Sequence, residues 1–405
     1  MFLTETHIIK QGNLLFHELD NLCFLSKNLY NSTLYAVRQH YFQTQEYLNY
    51  NRVNALFTHS DQKDYRALPA KVSKWTQKLV EQDMKAFFAL LKKKKDNNYQ
   101  SRVHIPRYAE PIKGRKPVHY PKDALSFKKK PGFICLSQTN IAIKSKIPQN
   151  LVEFVNIVPH VGYIMICVGY KKDCSSRIQK KGGYASIDLG LNNLATVCSD
   201  RFRPLIINGR PLKSINQFFN KEKSRFQTQL PTGQRSSHRI DRLSLKRKNK
   251  IKDYLHKATS WLVNHLALNN IDTLVLGYNT EWKQDISLGT RNNQNFVSIP
   301  FHMFKTMLRY KCELQGIALY EQEESYTSKC SFLDSEEICK HKNYKGKRIK
   351  RGLFRTENSR LVNADLNGSL NILKKFLQKQ EAWDEKIFSD LVEGCSSPNI
   401  QKISF

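Results

Sequence analysis

Apolar and polar positions alternate in "LTETHIIK" (3–10), which predicts a strand. From about 14 to 95 the spacing turns helical, first in "LFHELDNLCFLSKNLYNSTLYAV" and, after the breaker "ALPA" (67–70), in "KVSKWTQKLVEQDMKAFFALLKKKK". In the second of these, Trp75, Leu79, Val80, Phe87, Leu90 and Leu91 fall largely on one broad face. The helix ends in Lys92, Lys93, Lys94 and Lys95, cations that suit a helix C-terminus.

Past residue 100 the pattern breaks into short β-like pieces, "FICLSQ" (133–138), "NIAIKS" (140–145) and "GYIMICVGYK" (162–171), separated by Pro, Gly and Lys. They predict a small barrel or sheet. "KKDCSSRIQKKGG" (171–183) reads as a linker. Three strands follow, "YASIDLGL", "NNLATVCSD" and "RPLIING", joined by tight polar turns. A long basic helical stretch covers about 213–268. Then come a strand at 272–278, a helix at 299–316, a strand at 317–322 and a helix near 363–377. Strand–helix–strand crossovers make the last two strands parallel in one sheet. Three antiparallel strands plus two parallel ones with helices form a mixed α/β sheet of RNase H type.

Charge sharpens this picture. The 405 residues carry 66 Lys and Arg against 35 Asp and Glu, a formal charge of +31. Such self-repulsion calls for a polyanion partner, and nucleic acid is the first candidate. Between Lys92 and Lys130 stand thirteen basic residues, Arg102 and Arg107 among them, against three acids, with Tyr99, Tyr108, His119, Tyr120 and Phe127 interleaved. Cations can follow phosphates while the rings offer stacking faces. Within 221–257, Arg235, Arg239, Arg242, Lys246, Arg247, Lys250 and Lys257 form a second cationic wall. The N-terminus is too short and polar for a signal peptide, and no apolar run reaches the ~18 residues of a membrane span. Nine scattered cysteines, an odd number, fit a reduced interior. A cytoplasmic protein with no membrane partner is expected, nucleoid-associated if its source is bacterial or archaeal.

Two acids stand out. Asp188 lies mid-strand between Ile187 and Leu189, and alternation turns it to the opposite face. A carboxylate there is costly to bury unless paired. Asp365 opens a helix, where an acid is ordinarily a cap or dipole partner. Two or three carboxylates converging on one sheet edge can hold Mg²⁺ or Mn²⁺, hard cations that take oxygen ligands. A pair of such ions serves phosphodiester cleavage.

"SIDLGLNNLATV" and "NADLNGSLNIL" resemble the first and third motifs of the RuvC nuclease domain in TnpB proteins, transposon-encoded relatives of the type V CRISPR effectors. "YTSKCS" (326–331) resembles the approach to that family's zinc ribbon, and "ALPAKVSKWTQKLVEQDMKAFF" its N-terminal helical part. The resemblance covers about residues 1–375. It implies an α/β nuclease domain with β-barrel and α-helical parts. The wedge barrel would be 1–12 and 96–178, and the inserted helical recognition region 13–95. The RuvC, RNase H-like domain would be 179–378, with a degenerate zinc-ribbon insertion at 327–362; apart from the resemblance, 379–405 carries no motif and reads as a partly disordered tail. The resemblance also implies an RNA-guided DNA endonuclease that binds a guide RNA from its own locus and cuts double-stranded DNA beside a short adjacent motif.

The family's second motif ends a strand in Glu. Aligned by its apolar run, that position is Gly277, which has no ligand atom. Glu281, in the following loop, and Glu324, just past the next strand, are the candidate replacements, with Glu323 a fallback and Glu321 weaker. The last strand and 272–278 are neighbours in this sheet order, so their ends lie about 5 Å apart, within reach of a Glu side chain. Some TnpB and Fanzor proteins are similar in carrying an acid just before a "YTSK"-like segment, which favours Glu324. The expected set is Asp188, Glu324 and Asp365 with Mg²⁺ or Mn²⁺. Cys330, Cys339 and His341 are three ligands of odd spacing, so no zinc is expected. Lys347 and Arg348, within the insertion, are candidates for a phosphate backbone. Two rivals remain: a cleavage-deficient RNA-guided repressor, for which Gly277 speaks, and an RNase H-fold transposase.

Overall fold

The computed structural model describes residues 1–99, 101–128, 131–173, 182–278, 299–350, 352–384, 386–387, 389, 391–392 and 400–405. Two compact units divide the chain, Met1–Asp173 and Cys174–Phe405.

The first unit opens on β1 (Phe2–Lys10) and then runs through α1 (Phe16–Thr44), α2 (Tyr50–His59), α3 (Lys63–Arg66) and α4 (Ala70–Lys95). Six strands follow: β2 (Val118–Pro121), β3 (Leu125–Ser126), β4 (Phe133–Leu136), β5 (Ala142–Lys144), β6 (Val152–His160) and β7 (Tyr163–Lys171). They form two antiparallel sheets, ordered β1-β7-β6-β2 and β3-β4-β5. The helices thus sit in sequence between two strands of one sheet. In α1, Leu19, Leu22, Cys23, Leu29, Tyr30, Leu34 and Val37 are buried, the i, i+3, i+4 stripe of a core-facing helix. The buried stripe of α4 is Val72, Thr76, Val80 and Met84. Val80 of the broad apolar face read in the sequence belongs to this stripe, Leu79 and Phe87 pack half-buried against the same core, and Trp75 packs its ring 4.1 Å from that of His119.

The second unit carries β8 (Gly183–Leu189), β9 (Asn193–Ser199), β10 (Leu205–Asn208), α5 (Arg210–Gln227), α6 (His238–Leu268) and β11 (Ile271–Gly277). After these come α7 (Phe301–Gln315), β12 (Ala318–Gln322), β13 (Lys347–Lys350), β14 (Leu353–Arg355), β15 (Leu361–Asn363), α8 (Ala364–Lys379) and β16 (Gln401–Ile403). The main sheet has the order β12-β11-β8-β9-β10-β16. β8, β9 and β10 are antiparallel, while β11 and β12 run parallel to β8. This is the RNase H-like arrangement that the strand and helix pattern predicts. Its sixth strand, β16, pairs parallel with β10 and comes from the segment expected to be a tail. Short strands β13, β14 and β15 form a separate antiparallel sheet within the insertion.

One face of the main sheet packs on α6 and α7 through Ile187, Leu189, Leu255, Leu262, Phe304 and Leu308, all buried. The other face receives α8. Alternation along β8 sends Ser186 and Asp188 to that side. There the Ser186 hydroxyl donates to the Ser369 carbonyl at 2.7 Å, and the Ser369 hydroxyl lies 3.1 Å from the carbonyl of Thr196. Gly368 and Ser369 are small, so α8 approaches the sheet closely at the point where Asp188 emerges.

Candidate carboxylate site

Three elements bring acids to one end of the sheet. β8 carries Asp188. α8 carries Asp365 in its first turn, where the Asn363 side chain caps the helix by accepting from the backbone N–H groups of Asp365 and Leu366 at 2.9 and 3.2 Å. Glu324 follows β12. The parallel register sets Gly277 opposite Gln322, and the Tyr278 N–H donates to the Gln322 carbonyl at 2.9 Å. Glu324, two residues on, folds its carboxylate over Gly277.

Gly277 therefore supplies space. A Cβ there would overlap both Glu324 Oε1 and Ile372 Cδ1. Gly368 does the same on the helix side, since a Cβ would stand 3.1 Å from Asp188 Oδ2. The other candidates point elsewhere. Glu323 accepts from Lys375 at 2.7 Å, and Glu321 pairs with Lys305 at 2.9 Å and with Arg309. Glu281 lies outside the described residues.

The charges of the site act on one another. Asp188 is held well above the usual carboxylate range by desolvation and then by the negative charges of Glu324 and Asp365, with Arg348 opposing. Burial, with the charge of Glu323 second, pushes the Glu324 carboxyl up to about 7. Asp365 is engaged by neighbours: the Asn193 side-chain amide donates to it at 2.8 Å and Arg348 at 3.2 Å. Among the described residues, no three His, Cys, Asp or Glu side chains converge closely enough to hold a metal ion as they stand. The donor chemistry nonetheless fits a hard divalent cation. Two glycines leave room beside Asp188 and Glu324, and the repulsion that Glu324 and Asp365 exert on Asp188 is what a cation would offset.

A second face of α8 grips the insertion, a feature that sequence reasoning did not find. The Asn367 side-chain amide donates to the Cys330 carbonyl at 2.8 Å, and its oxygen accepts from the Phe332 N–H at 3.0 Å. Asn371 donates to the carbonyls of Thr327 and Cys330 at 2.9 and 2.7 Å. Lys374, 4% exposed, donates to the Glu336 carbonyl at 3.0 Å. The i, i+4, i+7 spacing of Asn367, Asn371 and Lys374 was the available signal. Asn371→Ala, which removes the donor to the Thr327 carbonyl and leaves the Cys330 carbonyl with Asn367 alone, is expected to cost about 1–3 kcal/mol, read from urea unfolding.

Cys330, Cys339 and His341 share one corner of this insertion. Cys339 Sγ lies 3.3 Å from His341 Nε2, and the Cys330 thiol points to the Cys339 carbonyl at 3.6 Å. The basic candidates are spread over both units. Lys92–Lys95 are exposed on the last turn of α4, and Arg102 and Arg107 are exposed beyond it. Arg235 precedes α6, whose Arg239, Arg242, Lys246 and Lys250 are exposed. Arg247 is instead half-buried, donating to the Asn216 side chain at 2.7 Å and lying over the Phe219 ring. Lys347 is exposed on β13, beside Arg348. No described helix is long and apolar enough to cross a membrane.

Comparison with known proteins adds sequence and structural relatives. Residues 165–283 match the OrfB_IS605 family model, described as a probable transposase, and residues 301–372 match a Cas12f1-like TNB domain. The TnpB-like protein ORF457 of Acidianus two-tailed virus is 26% identical over 219 residues, which is 51% of this chain and 45% of that protein. The chain thus spans about half the length of the curated relative it matches. A Cas12f1–sgRNA–target DNA complex is similar at 14% identity and a TM-score of 0.38, over 93% of this chain and 100% of the other. A CRISPR-Cas12f ternary complex is similar at 13% identity and a TM-score of 0.37, over 89% and 80%.

Proposed function

From the premise that this chain belongs to the TnpB family, we propose that it is an RNA-guided DNA endonuclease. It would bind a guide RNA from its own locus and cut double-stranded DNA next to a short adjacent motif. The observation that carries this reading is the carboxylate of Glu324 lying over Gly277, beside Asp188 and on the side of the sheet that bears Asp365. The acid missing from the strand end is replaced from the neighbouring strand.

Asp188, Glu324 and Asp365 would hold Mg²⁺ or Mn²⁺, which when bound supplies an activated water and stabilises the departing 3′ oxygen. The chain's own groups prepare the site. Gly277 and Gly368 keep room between the carboxylates. Asn193 holds the Asp365 carboxylate, and the Asn363 cap fixes the backbone that carries it. Arg348 holds that carboxylate until a substrate phosphate or a cation competes for it. The exposed arginines and lysines of α6 suit a guide–target duplex gripped by shape and backbone, with sequence left to base pairing.

A second reading has one observation in its favour. Asp365 is paired with Arg348 and the three acids do not close on a common point, as in a chain that binds guide and target but does not cut. Plasmid cleavage with the purified protein, locus RNA and Mg²⁺ separates the two. Wild type is expected to cut and Asp188→Ala to lose all detectable cleavage while retaining target binding. Binding without cutting by wild type, across several divalent metals, would establish the repressor instead.

A further inference from the structure

Beside Asp365 lies a cavity of about 810 Å³. Its wall is cationic. Arg210 comes from the first residue of α5, Arg348 and Lys350 from β13, and Lys402 from β16, while among the described residues Asp365 is the one acid in its lining. The register of the main sheet explains why these groups meet. Asp188 pairs with Thr196, Thr196 with Ile206, and Ile206 with Lys402. Residues paired in register share a face, so one row crosses four strands from the carboxylate to the lysine. At about 4.8 Å per strand, Lys402 stands roughly 14 Å from Asp188. Ile206, 1% exposed, is an apolar residue between them that also lines the cavity.

Four cations facing one carboxylate repel each other unless a polyanion joins them. The volume is that of a pocket for a small ligand. It suits a short run of one strand and is too small for a duplex, whose major groove alone is about 12 Å wide. We propose that this cavity binds the phosphodiester backbone of the DNA strand entering the carboxylate site, and that the C-terminal edge strand β16 supplies one anchor through Lys402. This rests on the nuclease reading and specifies the path of the substrate strand at that same site. Arg210, Lys350 and Lys402 hold phosphates on one side of the scissile bond. Arg348, released from Asp365, takes the phosphate nearest to it.

The test is lysine acetylation of the whole chain, followed peptide by peptide, with and without saturating short oligothymidylate. Acetylation of Lys350 and Lys402 is expected to slow several-fold. The double variant Arg210→Ala/Lys402→Ala is expected to bind the same oligonucleotide with a salt slope shallower by about 1.4, at roughly 0.7 for each single-strand phosphate it no longer neutralises. Lys402→Arg, which keeps the charge, should retain the slope. An unchanged unfolding midpoint in the double variant confirms that β16 is still seated. Unaltered labelling of Lys402 under saturating oligonucleotide, or an unaltered slope, would overturn the proposal. Protection by oligouridylate with none by oligothymidylate would overturn its assignment to DNA. If wild type cleaves its guided target while Lys402 stays unprotected, this proposal fails and the nuclease reading stands. If Lys402 is protected and wild type never cuts, the cavity stands and the nuclease reading falls.

Discussion

Gly277→Glu made alone is expected to lose both stability and cleavage, and Gly277→Glu combined with Glu324→Ala to regain part of each. The new Cβ would overlap Glu324 Oε1 and Ile372 Cδ1. Overpacking of this kind costs about 1–3 kcal/mol, and the added carboxylate would also crowd Glu324 and Asp188. Glu324→Ala removes one of these two overlaps and leaves the acid at the strand end. Cleavage by Glu324→Ala alone should fall by about 10²–10³-fold or more, the scale for losing one electrostatic group from a transition state. The triple variant, with Ile372→Val added to remove the second overlap, should recover a measurable fraction of that loss. Guided plasmid cleavage and urea unfolding, measured on the same preparations, read both effects. If Glu324→Ala cuts like wild type, the assignment of Glu324 is wrong. If Glu281→Ala is then the inactive variant, the ligand is Glu281, four residues on from Gly277 in the sequence.

The metal-free chain is expected to lose stability as pH rises from about 4.5 to 7. Glu324 has an ordinary carboxyl value of 4.5 when unfolded and about 7 in the folded chain. Below 4.5 it is protonated in both states, so its full contribution is present. As pH rises through 7 the unfolded chain has released the proton and the folded chain has to bury a charge, so that contribution is lost. At 1.36 kcal/mol per unit the change is on the order of 3 kcal/mol at most. Asp188, raised by the same desolvation and by its acidic neighbours, acts in the same direction. Glu324→Gln should flatten this part of the pH profile. At pH 8, Mg²⁺ at a hundred times its dissociation constant should stabilise the wild type by about 2.7 kcal/mol. That stabilisation should be absent from Asp188→Ala. Calorimetric midpoints across pH, with and without Mg²⁺, check all of these. A midpoint of the metal-free wild type that rises from pH 5 to pH 7 would contradict the burial of Glu324.

The five-strand core of the sheet follows from the chain's pattern alone. Period-2 alternation in 184–189, the polar turns after it, and a helix between 272–278 and 317–322 left one arrangement of five strands, because parallel neighbours require a crossover and crossovers have one hand. The pattern also determined that Asp188 faces away from the Ile187 and Leu189 core, since alternation leaves no other choice. Asp365 at a helix start was legible from Asn363 and the apolar run behind it. Tertiary structure alone decided the rest. Whether Glu324, Glu323 or Glu321 turns inward depends on which cations lie beside each: Lys375 takes Glu323, and Lys305 with Arg309 takes Glu321. The sequence marked Gly277 as a missing ligand, and only the fold makes it a vacant volume, because Glu324 lies 47 residues away and meets it through strand pairing. The segment 401–403 carries too few residues for its own pattern to declare a strand, and pairing with the exposed edge of β10 makes it one. Arg247 reads as one more cation in a basic helix, yet Asn216 and the Phe219 ring on α5 draw it inward. Local periodicity fixes which way a side chain points. Which partner it meets across the fold is set by packing between segments far apart in the chain.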